Sequence, residues 1–109
     1  MPHVEIELAR VPFDIPTPVE HAGRKLVILR TESRTVAYED ACPHASWPLS
    51  QGTLHDGVLE CPGHGWEFSA DTGRCVNAPA YCLTPISLEI REGIVRLDWE
   101  SNVPSPASK

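Results

Sequence analysis

Two neighbouring stretches decide the reading: Cys42-Pro43-His44-Ala45-Ser46-Trp47-Pro48-Leu49-Ser50 and Cys61-Pro62-Gly63-His64-Gly65-Trp66-Glu67-Phe68. Each opens on a cysteine followed by a proline, and each brings a histidine soon after. The first piece is Cys-x-His and the second Cys-x-x-His, with 16 residues, Ala45 to Glu60, between them. Proline holds φ and glycine permits sharp bends, so each piece is expected at the tip of a turn that presents one thiolate and one imidazole. Asp56-Gly57, set between Thr53-Leu54 and Val58-Leu59, signals a tight hairpin that folds one tip towards the other.

Outside this region the pattern is that of strands. Val4, Ile6 and Leu8 alternate with Glu5 and Glu7, as in a half-exposed strand. Residues 11–20 hold Pro12, Pro16 and Pro18 and read as loop. Lys25–Thr31 contains the run Leu26-Val27-Ile28-Leu29, suited to a buried strand, and Thr35–Tyr38 is its hairpin partner across the polar turn Glu32 to Arg34. Asp71-Thr72-Gly73 marks another turn. Ile86, Leu88 and Ile90 alternate with polar residues, Glu92-Gly93 turns the chain, and Ile94 to Trp99 alternates again. No helical period of ten or more residues is found. The expectation is one all-β domain over 1–100, an antiparallel sandwich or barrel. A cluster-binding subdomain of two ligand loops is inserted at about 40–74, and a polar tail follows at 101–109.

The chain has 109 residues and a net charge of −6, which argues against nucleic acid as a partner because phosphate binding needs a basic face. Mild acidity suits a partner with a basic docking patch, and it equally keeps a small protein soluble. The sequence contains no apolar run of the length that spans a membrane and no signal-peptide pattern at Met1–Arg10, so a cytoplasmic protein is expected. Bound metal fits that compartment better than disulfides do.

Two sulfurs and two nitrogens suit zinc or iron–sulfur. Zinc fingers of the Cys2His2 type place two cysteines in one half and two histidines in the other. Here each half holds one of each, which fits a cluster whose two irons differ in character. The two stretches and their spacing resemble the cluster-binding loops of Rieske proteins, and the resemblance extends over roughly Val4 to Trp99. It implies a 2Fe–2S cluster with Cys42 and Cys61 on the inner iron and His44 and His64 on the outer. It also implies that Gly63 and Gly65 bring amides near bridging sulfides, and that Trp47 and Trp66 shield the site. Ser46 stands where the family often has glycine. Respiratory members carry a disulfide at positions 47 and 63, a serine at 66 and a tyrosine at 68. This chain has Trp47, Gly63, Trp66 and Phe68, and the loss of hydroxyl donors to sulfur implies a low reduction potential.

Cys75 and Cys82 lack accompanying histidines and are expected to be buried thiols rather than ligands. Pro79 and Pro85 lie near where the family has a proline-containing loop over the cluster. The resemblance implies a soluble ferredoxin, not an enzyme in itself. Such a ferredoxin takes single electrons from a flavin-containing reductase and passes them to a terminal oxygenase, commonly one that acts on aromatic rings. The small subunit of another redox enzyme, such as a nitrite reductase, is the alternative. A zinc-stabilised interaction module is the rival from another class, and would be colourless.

Overall fold

The computed structural model describes residues 3–21, 23–42, 47–62, 65–77 and 80–98. The run Leu26-Val27-Ile28-Leu29 is fully buried along its whole length. A strand that is half solvated would alternate, and this one does not because both of its faces are covered. Leu26 and Ile28 enter one apolar cluster, Val27 and Leu29 another.

Nine strands are described. They are β1 (His3–Glu7), β2 (Thr17–His21), β3 (Arg24–Arg30), β4 (Thr35–Glu39), β5 (Thr53–His55), β6 (Val58–Glu60), β7 (Glu67–Ser69), β8 (Pro85–Arg91) and β9 (Ile94–Asp98). Six form an antiparallel sheet in the order β1-β9-β8-β4-β3-β2, and β5-β6-β7 form a smaller one. Val4 and Ile6 of β1, Val19 of β2, Leu26 and Ile28 of β3, Ala37 of β4, Ile86 and Leu88 of β8, and Val95 and Leu97 of β9 meet in one cluster. All six strands contribute to it, so the large sheet wraps around this core, as the expected barrel-like β architecture requires. Arg30 ties the segment before β2 onto the sheet. Its guanidinium donates to the Leu8 and Val11 carbonyls at 3.2 and 3.0 Å and lies 4.1 Å from the centre of the Phe13 ring.

The other face of β3 and β4 carries Val27, Leu29, Val36 and Tyr38. Onto it packs the insertion with Leu49, Leu54, Leu59, Phe68, Ala70 and Leu83. Asp56-Gly57 turns β5 into β6 with φ of 51° and 76°, and Glu92-Gly93 turns β8 into β9 with φ of 51° and 79°. Positive φ at both central residues matches the right-handed twist of the flanking strands. Among the described residues the helical elements are two short 3-10 turns, Leu8–Arg10 and Leu49–Gln51. No helix is long and apolar enough to cross a membrane.

The structure corrects one expectation here. Residues 11–20 are not all loop, because β2 begins at Thr17 and pairs with β3, Pro18 opposite Val27. Proline cannot donate to a ladder, and β2 tolerates it as an edge strand with a single neighbour. Trp99 and the expected tail at 101–109 lie outside the described residues.

Candidate metal centre

Both site cysteines sit at the start of a loop that leaves a strand region and doubles back. The Cys42 N–H donates to the Trp47 carbonyl at 2.8 Å, and the Cys61 N–H donates to the Trp66 carbonyl at 2.7 Å. The two loops are therefore closed by the same bond, from the cysteine to a tryptophan five positions on. In the second, Gly65 adopts φ +71°, where a residue with a side chain is strained. Its N–H donates back to the Cys61 carbonyl at 3.1 Å. The Gly65 amide thus closes the turn, a use the resemblance to cluster loops did not suggest.

Cys42 and Cys61 are each 1% exposed. They lie in the cluster that joins β3 and β4 to the insertion, with Leu49, Leu59, Phe68 and Cys75 around them. No disulfide joins the four cysteines. Burial in apolar surroundings alone suits a thiol. The shared loop closure is what sets these two apart, and soft sulfur donors within a Cys/His set fit iron–sulfur chemistry. His44, His64, Gly63, Pro43, Ser46 and Pro79 lie outside the described residues. Among the described residues no group of three or more His, Cys, Asp or Glu side chains gathers as a metal site.

The aromatic neighbours divide. Trp66 packs against the core that holds the cysteines. Its ring meets Tyr81 edge to face, with centroids 5.4 Å apart. Trp47 is 45% exposed and so covers the site only in part. Tyr81 escaped the sequence reading; an aromatic beside Pro79 was the only available signal. The segment that carries it is fastened by the Cys75 N–H, which donates to the Tyr81 carbonyl at 3.0 Å. Phe68, in β7, is fully buried and brings no hydroxyl to this core.

Cys75 is buried as expected, but Cys82 is exposed, which corrects the expectation for it. Cys82 bridges Arg74, and Cys75 bridges Phe68. Neighbouring residues of extended chain face opposite sides, so Cys75 turns inward while Arg74 and Cys82 turn out to solvent. That alternation also separates the two sulfurs.

A family model described as Rieske [2Fe-2S] domain matches residues 3–86. Protein TIC 55 of Arabidopsis thaliana chloroplasts is 35% identical over 107 residues, covering 88% of this chain and 20% of that protein. The ferredoxin component of the alkene monooxygenase system of Xanthobacter autotrophicus is 36% identical over 77 residues, covering 70% of this chain and 63% of that one. Among solved structures, a complex of reduced oxygenase and oxidized ferredoxin in carbazole 1,9a-dioxygenase contains a similar chain. The TM-score is 0.78 at 30% identity, covering 87% of this chain and 100% of that one. The chain thus spans less than two thirds of either curated relative's length.

Proposed function

The chain belongs to the Rieske [2Fe-2S] domain family, and from that membership we propose that it is a one-electron carrier whose cluster is held by Cys42, His44, Cys61 and His64. When bound, such a cluster takes up and releases single electrons. Cys42 and Cys61 supply thiolates from within an apolar core, which keeps water from the sulfurs. His44 and His64 supply neutral nitrogens, so that the site carries less negative charge than an all-cysteine one and accepts an electron more readily. The observation that carries this reading is the matched pair of loops, each closed from a buried cysteine to a tryptophan.

The proposed role is that of a ferredoxin between a flavin-dependent reductase and a terminal oxygenase, with aromatic compounds as the substrates of the whole system. The similarity to an alkene monooxygenase ferredoxin and to the ferredoxin of a carbazole dioxygenase complex supports an oxygenase as acceptor. A cytoplasmic location follows from the same reading, since thiols stay reduced there. Iron and acid-labile sulfide analysis, with electron paramagnetic resonance of the dithionite-reduced chain, tests the proposal. About two irons per chain and a reduced-state signal are expected. With Phe68 offering no hydroxyl, the midpoint potential is expected at roughly −150 mV, the low end for mixed Cys/His ligation. A colourless chain holding one zinc overturns the proposal.

A further inference from the structure

The two cysteine loops are closed alike across their tips and differently at their necks. Glu60 and Glu67, which flank the second loop, face each other in the β6–β7 ladder. The first loop leaves β4 and returns into the 3-10 turn Leu49–Gln51, and among the described residues no ladder joins its two sides. A side chain stands in for that ladder. Asp40 Oδ1 accepts the Ser50 N–H at 2.7 Å, and Oδ2 accepts the Ser50 hydroxyl at 2.7 Å. Hydrogen bonds to a carboxylate are stronger than those between neutral groups, and two in parallel also hold an orientation.

Both ends of this clamp are anchored. The Asp40 N–H donates to the Lys25 carbonyl beside β2's partner strand at 2.9 Å, and the preceding residue, Glu39, donates to Thr84 at 2.9 Å. Ser50 follows Leu49, which is fully buried in the core that holds Cys42 and Cys61. The carboxylate therefore hangs from the large sheet and grips the returning end of the loop that contains Cys42 and His44.

We propose that Asp40 is a positioning residue for the metal centre. By closing the neck of the first loop it fixes the direction in which Cys42 offers its sulfur, and Ser50 is its counterpart. The inference rests on the ligand assignment proposed above. Its test uses the full chain with its cluster and three variants. Asp40→Ala removes both bonds, and Ser50→Ala removes the hydroxyl bond alone. Asp40→Asn keeps an acceptor for the Ser50 N–H and turns an amide donor towards the Ser50 oxygen, so it retains the clamp without the charge.

The readouts are the line shape of the reduced paramagnetic signal, the visible circular dichroism, and the rate of cluster loss to an iron chelator. Asp40→Ala is expected to lose its cluster about tenfold faster, as changes around metal ligands commonly do, with an altered line shape. Ser50→Ala is expected to fall between, and Asp40→Asn to stay near the unaltered chain. Should Asp40→Ala not fold, an altered line shape in Ser50→Ala supports the clamp and an unaltered one overturns it. An unchanged line shape and lifetime in Asp40→Ala overturn the proposal. So does an Asp40→Asn variant as damaged as Asp40→Ala, since charge rather than the clamp would then be responsible. Absence of iron and sulfide from the unaltered chain overturns the ligand assignment and this inference with it, and is recognised before any substitution is made.

Discussion

Tyr38 joins the two parts of the molecule through one atom. Its hydroxyl donates to the Ala70 carbonyl at 2.7 Å, linking β4 to the insertion, while its ring is buried in the shared core. Burial raises its pKa; the Arg34 charge opposes this rise and Asp71 adds to it. The unfolded phenol ionises near ~10, while the folded one still holds its proton there. Stability from this group is therefore fully present below that pH and is lost as pH rises from it through the higher folded value. Tyr38→Phe is expected to abolish this alkaline loss and to cost about 1–2 kcal/mol at neutral pH, because the Ala70 carbonyl loses its donor. Denaturant titrations at a series of pH values read both effects. Neither this bond nor that of Asp40 to Ser50 is legible in the sequence, since each joins side chains to residues that only tertiary packing brings close. The four-residue ligand pattern was legible because it is written in local spacing.

At the scale of elements, the strands announced themselves wherever alternation or a turn dipeptide marked them. Asp56-Gly57 and Glu92-Gly93 adopt the left-handed φ values their residue types favour. β2 was hidden because Pro18 counts against a strand, and whether a strand lies at an edge depends on its neighbours in the sheet rather than on its own residues. Cys82 was misjudged for a related reason: its outward direction comes from its pairing with Arg74. The approach to β5 is the tightest part of the insertion. A side-chain carbon added to Gly52 would overlap the Glu60 carbonyl oxygen and come within 3.3 Å of the Leu49 carbonyl oxygen. Gly52→Ala must push β5 away from β6 and is expected to destabilise the chain by about 1–3 kcal/mol. The cluster should also be retained poorly, since Glu60 precedes Cys61. Denaturation midpoints and the iron content of the purified variant measure the two effects, and an unchanged iron content would speak against the tight approach.

Across the whole molecule, two cores have different dependences on metal. The core that includes Val95 and Leu97 is drawn from the large sheet and the segment before β2. The other straddles sheet and insertion and contains the two proposed thiolate ligands. Removal of iron leaves the first core whole and takes from the second the bonds that join Cys42 to Cys61. Opening of local units is governed by the contacts each one holds. Hydrogen exchange on the apo chain is expected to show amide protection in β5–β7 reduced by about tenfold or more, with β3 and β9 protected as before. Equal loss in all strands would mean that the sheet depends on the metal too.

The pairing of β4 with β8 has a further consequence for how such chains can be altered. Tyr38 faces Pro85, and the Glu39 N–H donates to the Thr84 carbonyl at 2.9 Å. The chain between them thus departs and returns at adjacent points of the sheet. Such an excursion behaves as a cassette. Its closure entropy grows only with the logarithm of its length, so residues can be added at its outer turns without moving the seam. The portable unit is residues 40–84, both cysteine loops and the clamp included. Grafted onto another antiparallel pair with the same seam, it carries the proposed metal centre with it.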